Sequence, residues 1–125
     1  MLSQQLKEAQ RSVPQCLGVG YVDIDANHIV ERATTTSCPD SAWALLGNTK
    51  TIIEPQDVVD MEQWLSQGNE QASDEQFKEV LIYGDDILFL FLRSTPEHAL
   101  VFICQQNTNL GMVYATARAA ASTIL

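Results

Sequence analysis

The C-terminal half of the sequence carries the pattern that most restricts the fold, a series of three apolar runs separated by tight turns. Phe77–Tyr83, Ile87–Arg93 and Ala99–Gln105 are rich in β-branched and aromatic residues, as strands usually are. The connections at residues 84–86 and 94–97 are too short to cross over a sheet. Strands joined in this way pair antiparallel, so this half of the chain predicts a three-stranded meander.

The N-terminal third predicts a helix followed by a hairpin. Apolar residues recur at helical spacing at Leu2, Leu6, Ala9 and Val13. Two strand-like runs, Cys16–Ile24 and His28–Thr34, then flank a turn at residues 25–27. Gly18 and Gly20 share one face of the first of these strands, and such small residues allow a helix to lie close to the sheet.

The remaining segments predict helices and one polar loop. Residues 39–66 contain helical periodicity interrupted by Gly47-Asn48 and Pro55, which predicts either one broken helix or two short helices. Residues 66–76 are polar and acidic, which is typical of a loop. The last helix can be capped by Thr108 or Asn109 and has an apolar stripe down to Ile124.

Together these elements predict one α+β domain over residues 1–125. Its order is α-β-β-α-β-β-β-α, in which the two groups of hairpin strands join into a five-stranded antiparallel sheet flanked by helices. Strands that are apolar on both faces need cover on both sides. We expect the terminal helices to cover one face and the helical middle to cover the other.

The charge and cysteine content exclude several classes of function. The chain has 16 acidic and 7 basic residues, and the basic residues are scattered, so neither nucleic acid nor an anionic membrane is an expected partner. The three cysteines are widely spaced without a CxxC pair, which argues against a zinc site and fits a reducing compartment.

The N-terminus lacks the apolar run of a signal peptide, and Ile87–Leu92 is too short to cross a bilayer. These features predict a cytoplasmic protein without membrane insertion.

The sequence contains no established catalytic or metal-binding motif. The candidate nucleophiles are Ser37, Cys38 and Ser41, and the candidate bases are His28 and His98, which lie beside turns. Adjacent carboxylates at residues 85 and 86 are best interpreted as solvated turn residues. Asp23 and Asp25 share one side of a strand end but lack the further oxygen ligands of a calcium loop. We therefore expect no enzymatic activity, no cofactor and no metal.

Three stretches of the sequence resemble a known family. The runs VLIYGDDILFLFLR and ALVFICQQNTNLGMVYATARAAASTI, together with the hairpin GVGYVDIDANHIVERA, are similar to the roadblock family of dynein-associated light chains and their bacterial relatives. Asn109-Leu110-Gly111 matches the start of that family's last helix, and Arg118 matches a basic position within it. The resemblance implies five antiparallel strands flanked by helices, a layout that longin and profilin-like folds largely share.

The same resemblance implies a function in protein assembly. Roadblock domains form homodimers or heterodimers through the third strand and the central helix, and they act as scaffolds or regulators of small Ras-like GTPases. The expected interface residues are therefore Trp43, Leu46, Lys78, Val80 and Ile82. The expected partners are a second copy of the chain and a small GTPase or a larger scaffold protein. The interruptions at Gly47-Asn48-Thr49 and Pro55 depart from the family's long central helix.

Two other functions compete with this interpretation. A ligand-sensing domain of the PAS or GAF type would need a cavity lined by some of Cys16, Tyr21, Phe89 and Phe91. A small thiol or serine hydrolase would need Cys38 or Ser41 beside one of the histidines.

Overall fold

The computed structural model describes residues 2–53, 60, 61, 64 and 79–124. The helices are α1 (Leu2–Ser12), α2 (Asp40–Leu46), α3 (Thr49–Ile53) and α4 (Leu110–Ile124). The strands are β1 (Cys16–Asp23), β2 (His28–Thr34), β3 (Glu79–Tyr83), β4 (Ile87–Thr95) and β5 (His98–Gln105). Each strand begins and ends within two residues of its predicted bounds, and the α+β class is confirmed.

Within the described residues, the five strands form one antiparallel sheet in the order β2-β1-β5-β4-β3. The N-terminal hairpin and the C-terminal meander join through the pairing of β1 with β5. Those two strands lie next to each other inside the sheet, which explains why both are apolar on both faces. The strands at the two edges are β2 and β3.

The helical middle begins as two short helices. Gly47 ends α2: its N–H donates to the carbonyl of Ala44, the N–H of Asn48 donates to the carbonyl of Leu45, and α3 starts at Thr49. Pro39 is the N-cap of α2, one residue before the first helical residue, Asp40. Residues 60, 61 and 64 are also helical, whereas the rest of residues 54–65 and the predicted loop at 66–76 lie outside the described residues.

The turn of the N-terminal hairpin anchors α3. Asn27 adopts a left-handed backbone with φ of 51°, a conformation that asparagine tolerates. Its side-chain oxygen accepts a hydrogen bond of 2.8 Å from the N–H of Lys50, in the first turn of α3. The ammonium of Lys50 also lies 3.5 Å from the carboxylate of Asp25.

The terminal helices cover one face of the sheet, as predicted. Leu6 and Ala9 of α1 and Val113 and Ala117 of α4 are buried there. They pack against side chains of β1, β2, β4 and β5. These are Cys16, Val19, Ala33, Leu88, Leu90, Leu92, Leu100, Phe102 and Cys104. Asn109 rather than Thr108 caps α4, because its side-chain oxygen accepts a hydrogen bond of 3.1 Å from the N–H of Met112.

The opposite face is covered by α2, which lies very close to β1. A Cβ atom placed on Gly18 would be only 2.6 Å from Cζ2 of Trp43, and one on Gly20 would be 3.2 Å from Cδ1 of Leu46. The indole N–H of Trp43 donates to the hydroxyl of Thr34 at 3.3 Å. The two glycines therefore allow the helix to lie close to the sheet, as predicted from their position on one face of the strand.

Candidate interaction surface

The outer edge of β3 is the most distinctive surface of the sheet. On its inner side β3 pairs with β4, with Val80 opposite Phe91 and Ile82 opposite Phe89. No other strand in the described part of the chain pairs with β3. An edge strand with unpaired backbone groups is a template for another strand, so natural proteins either protect such an edge or use it.

The phase of the hydrogen bonds identifies which backbone groups of β3 point outward. The N–H of Gly84 donates to the carbonyl of Ile87 at 2.7 Å, which closes the hairpin toward β4. Inward and outward residues alternate along an antiparallel strand, so the residues in phase with Gly84 also bond to β4. The backbone groups of Glu79, Leu81 and Tyr83 therefore point away from the sheet, with three donors and three acceptors.

The side chains of β3 divide between the two faces of the sheet. Val80 and Ile82 are half-buried against the cluster under α2, and Leu81 is half-buried against the cluster under α1 and α4. Tyr83 is 51% exposed. The predicted interface residues Val80 and Ile82 thus lie on the edge strand with side chains that also support the core, and Lys78 lies outside the described residues.

The other two predicted interface residues, Trp43 and Leu46, are core residues of the single chain. Their side chains are 6% and 0% exposed, because α2 turns them onto the glycine face of β1. Their direct contribution is to hold α2 in place. The outer side of this helix instead presents Leu45 to solvent.

Larger apolar side chains are exposed in the segment between β2 and β3. Met61 is 51% exposed and Trp64 is 74% exposed, and both have helical backbones. Exposed large apolar side chains such as these two are candidates for contacts with another molecule.

An ion pair fixes the edge strand to the last helix. The guanidinium of Arg118 donates to the two carboxylate oxygens of Glu79 at 2.6 and 2.7 Å, and it also stacks over the ring of Tyr114 at 5.0 Å. The hydrogen bond from Arg118 lowers the pKa of Glu79, although partial burial opposes this shift. Because the acidic charge at the start of β3 is neutralised within the chain, it offers little repulsion to a second strand.

The residues expected to line the cavity of a ligand-sensing domain divide between the two faces of the sheet. Cys16 and Tyr21 pack on the face covered by α1 and α4, whereas Phe89 and Phe91 pack on the face covered by α2. The sheet lies between the two pairs, so the four side chains do not line a common cavity. In the described part of the chain, an open groove of about 340 Å³ lies elsewhere, between α1 and α4.

The candidate nucleophiles and bases are not assembled into a catalytic group by any contact of the described residues. Cys38 is buried, and desolvation raises the pKa of its thiol, which is the opposite of what activates a cysteine nucleophile. His98 stacks on Tyr21 at 5.2 Å, and its Nδ1 lies 3.1 Å from the hydroxyl of Thr95. His28 is exposed at the start of β2, as are Ser37 and Ser41 before and within α2.

The carboxylates considered for a cation have other partners. Asp23 accepts a hydrogen bond of 3.1 Å from the N–H of Ala26, and Asp25 pairs with Lys50. The described residues contain no group of three or more side chains suited to hold a metal ion. No helix among them is long and apolar enough to cross a bilayer.

Known structures with the same architecture identify the fold. No protein-family model and no curated protein matches the sequence. Among solved structures, MglB of Myxococcus xanthus superposes with a TM-score of 0.73 at 15% identity, covering 97% of this chain and 89% of that one. A Roadblock/LC7 domain from Streptomyces avermitilis superposes with a TM-score of 0.67 at 9% identity, covering 98% and 92%. The chain has the roadblock fold.

A third roadblock-like structure matches over almost its whole length. MglC of Myxococcus xanthus has a TM-score of 0.64 at 16% identity, and the match covers 99% of this chain and 97% of that one. Another solved structure of the same kind is described as MglB with a tetrameric arrangement, with a TM-score of 0.66 at 16% identity. The roadblock fold expected from the resemblance is thus confirmed, by matches that cover 97–99% of this chain.

Sequence reasoning missed the outward-facing residues of the roadblock edge strand. Leu81 and Tyr83 were not among the expected interface residues, and Glu79 was not recognised as the partner of Arg118. The phase of β3 relative to the tight turn at Gly84 carries the missing signal, because it separates inward from outward backbone groups.

Proposed function

We propose that the chain is a non-catalytic interaction module that forms a homodimer through β3, and that the dimer is a platform for a small Ras-like GTPase. The observation that carries the proposal is the outer edge of β3, where the backbone groups of Glu79, Leu81 and Tyr83 point away from the sheet. A second copy of the same edge is a complementary partner for them.

The outward groups suggest a specific register. Two copies of β3 related by a two-fold axis through Leu81 place Glu79 of one copy opposite Tyr83 of the other. The outward residues then face outward residues, so their donors and acceptors can pair as in a regular antiparallel ladder. Val80 lies opposite Ile82 in the same register, and the two sheets become one continuous sheet.

Pairing of the two strands alone buries too little surface for a stable dimer. The proposal therefore includes a second contact between helical segments of the two copies. Specific interfaces usually bury about 800 Å² on each partner. The exposed apolar side chains of Leu45, Met61 and Trp64 lie between β2 and β3 in the sequence, and they are candidates for this additional area. Tryptophan is also among the residues that most often dominate interface energies.

The GTPase partner rests on the family resemblance and on charge. The resemblance to roadblock proteins implies a Ras-like GTPase, and the chain shares its fold with two Mgl proteins. A net charge of −9 favours association with a basic surface, mainly through a faster association rate.

The dimer is tested by measuring its mass and dissociation constant by analytical ultracentrifugation. The wild-type chain is expected at twice its mass of 13.8 kDa. Tyr83→Pro removes an outward N–H without removing a β3–β4 hydrogen bond, so it is expected to weaken the dimer about tenfold or more while the monomer stays folded. Ile82→Glu is expected to weaken it as well, with a larger loss of monomer stability.

The matched control is Val30→Glu, which places a charge on the exposed part of the other edge strand, β2. It is expected to leave the mass unchanged. Circular dichroism and thermal unfolding establish that each variant is folded. A monomeric wild-type chain, or a Tyr83→Pro dimer as tight as the wild type, contradicts the dimer.

The GTPase platform needs a separate experiment. Small Ras-like GTPases from the same genome, loaded with GDP or with a non-hydrolysable GTP analogue, are titrated into the chain in a calorimeter. The expected result is binding to at least one of them with an affinity that depends on the nucleotide. Equal binding in both states indicates a passive scaffold, and absence of binding to all of them contradicts the proposed partner.

A further inference from the structure

Two buried cysteines lie directly opposite each other on the two paired strands that join the halves of the sheet. Cys16 of β1 and Cys104 of β5 are Cα partners in the antiparallel pairing of these strands. Such partners have Cα atoms about 4.5–5.5 Å apart, which falls within the range of about 4.4–6.8 Å that a disulfide needs. Both side chains point to the same face and belong to the cluster under α1 and α4, whereas Cys38 belongs to the cluster on the other face.

The two thiols also interact with each other. A hydrogen bond with Cys104, together with burial, raises the pKa of Cys16 far above its ordinary value. The same hydrogen bond lowers the pKa of Cys104. The thiol of Cys16 also donates a hydrogen bond of 3.3 Å to the carbonyl of Gly18.

The backbone beside Cys16 departs from a regular ladder. Gln15 has a left-handed φ of 57°, which is uncommon for a residue other than glycine, and the β1–β5 register shifts between Cys16 and Gly18. A bulge of this kind interrupts the ladder locally and can adjust the direction of a side chain. The sulfur pair thus lies at an irregular end of β1.

From the opposed positions of Cys16 and Cys104 on one face of the sheet, we infer that they form an internal redox site, which closes to a disulfide in the presence of a peroxide. One thiol of the pair, as its thiolate, attacks one peroxide oxygen, the O–O bond breaks, and the leaving hydroxide takes up a proton to become water. The other sulfur then attacks the sulfenic sulfur. An S–S bond forms, the S–O bond breaks, and the hydroxyl leaves with the proton of the second thiol as a second water. Each sulfur loses one electron, and each peroxide oxygen gains one.

A bond at this position links the two halves of the fold. It connects the N-terminal hairpin to the C-terminal meander through their joining strands, and the loop that it closes runs from residue 16 to residue 104. Closing a long loop reduces the conformational freedom of the unfolded chain, so we expect the midpoint of thermal unfolding to rise by about 10 °C.

The test exposes the folded chain to hydrogen peroxide, quenches free thiols with an alkylating agent under denaturing conditions, and determines the mass. The expected product carries one alkyl group, on Cys38, and yields a disulfide-linked pair of peptides containing Cys16 and Cys104. The thermal midpoint should rise in parallel and should return to its original value after reduction.

Three variants make the test specific. Cys38→Ser is the matched control and should form the same disulfide, whereas Cys16→Ala and Cys104→Ala should show no rise in the thermal midpoint. Since each single variant is compared with itself before and after peroxide, a lower starting stability does not obscure the result. The inference is wrong if all three thiols remain alkylated, if only sulfinic or sulfonic products form, or if the linked peptides contain Cys38. None of these outcomes depends on dimer formation.

Discussion

The two faces of the sheet are covered in different ways. Helices α1 and α4, of 11 and 15 residues, cover one face with several leucine, valine and alanine contacts. On the other face, the 7-residue helix α2 contributes Trp43, whose ring lies over two glycines of β1. Contacts on the first face are therefore spread over many side chains, whereas α2 buries three, Ala42, Trp43 and Leu46, of which Trp43 is the largest.

This difference affects how well each face of the sheet tolerates substitutions. A surface built from many small contacts tolerates the loss of one of them, because its neighbours keep the helices in place. A surface built around one tryptophan and two glycines depends on the shape of all three, because a side chain on either glycine meets the helix. The following predictions test this contrast, beginning with the largest effect.

Removing the indole should have the largest effect on stability. Trp43→Ala is expected to lower the free energy of unfolding by about 3–5 kcal/mol, because it leaves a space over both glycines and removes the hydrogen bond to Thr34. On the other face, Leu6→Ala should cost about 2–4 kcal/mol. Urea denaturation followed by circular dichroism measures both values.

Leu45→Ala provides the control for this pair, because it changes the exposed side of the same helix. It should cost less than about 0.5 kcal/mol in the monomer. If Trp43→Ala proves no more costly than Leu45→Ala, the proposed dependence of this face on Trp43 is incorrect. Trp43→Phe keeps part of the ring and serves where the alanine variant does not fold.

Adding a single methyl group beneath the indole should have a smaller effect. Gly18→Ala is expected to cost about 1–3 kcal/mol, because its Cβ would lie 2.6 Å from the rigid ring of Trp43. Gly20→Ala should cost less, since its Cβ would lie 3.2 Å from both Leu46 and the ring of Trp43, a closeness that a shift of a few tenths of an ångström relieves. The measurement is again the free energy of unfolding in urea.

A double-mutant cycle identifies the cause of the Gly18 effect. In the background of Trp43→Leu, the cost of Gly18→Ala should fall by about 1 kcal/mol or more, because the clashing ring is absent. Additive effects in this cycle would show that the glycine is needed for a reason other than the contact with Trp43.

The smallest effect concerns the ion pair on the α1 and α4 face. Arg118→Met should lower the free energy of unfolding only slightly, because the pair is largely exposed to solvent. The pKa of Glu79 is lower in the folded chain than in the unfolded chain. The ionised Glu79 therefore stabilises the fold in full at pH values above its unfolded-state pKa. This stabilisation is lost as the pH falls through its folded-state pKa.

The pH dependence separates this charge effect from packing. The difference between wild type and Arg118→Met should therefore disappear as the pH falls from about 5 to 3. Lys7→Met, on the exposed side of α1, should show no such dependence. A difference that persists at low pH would assign the effect to the stacking of Arg118 on Tyr114 instead.

Much of the fold could be predicted because its signals are local. The tight turns at residues 25–27 and 84–86 predicted the hairpins, and alternating or continuous apolar runs predicted strands that need cover on one or both faces. The candidate interface could be placed on β3 because the resemblance to roadblock proteins implied pairing through the third strand.

Other features could not be predicted because they depend on distant parts of the chain. Periodicity shows that Trp43 lies on the apolar side of a helix, but not whether that side meets the chain's own sheet or a partner. That Cys16 and Phe89 lie on opposite faces could not be predicted for a similar reason, since their relation passes through the register of β1, β5 and β4. No local pattern contains this information.

The sequence by itself determined the class of the elements, their order and the tight turns between them, because backbone sterics and side-chain periodicity act over only a few residues. It also carried the resemblance to the roadblock family. Only the tertiary structure decided that Trp43 and Leu46 are internal, that Glu79, Leu81 and Tyr83 point their backbones outward, and that Cys16 lies opposite Cys104. These features depend on strand register and on the side of the sheet that each helix covers, which are set by contacts between residues far apart in the chain.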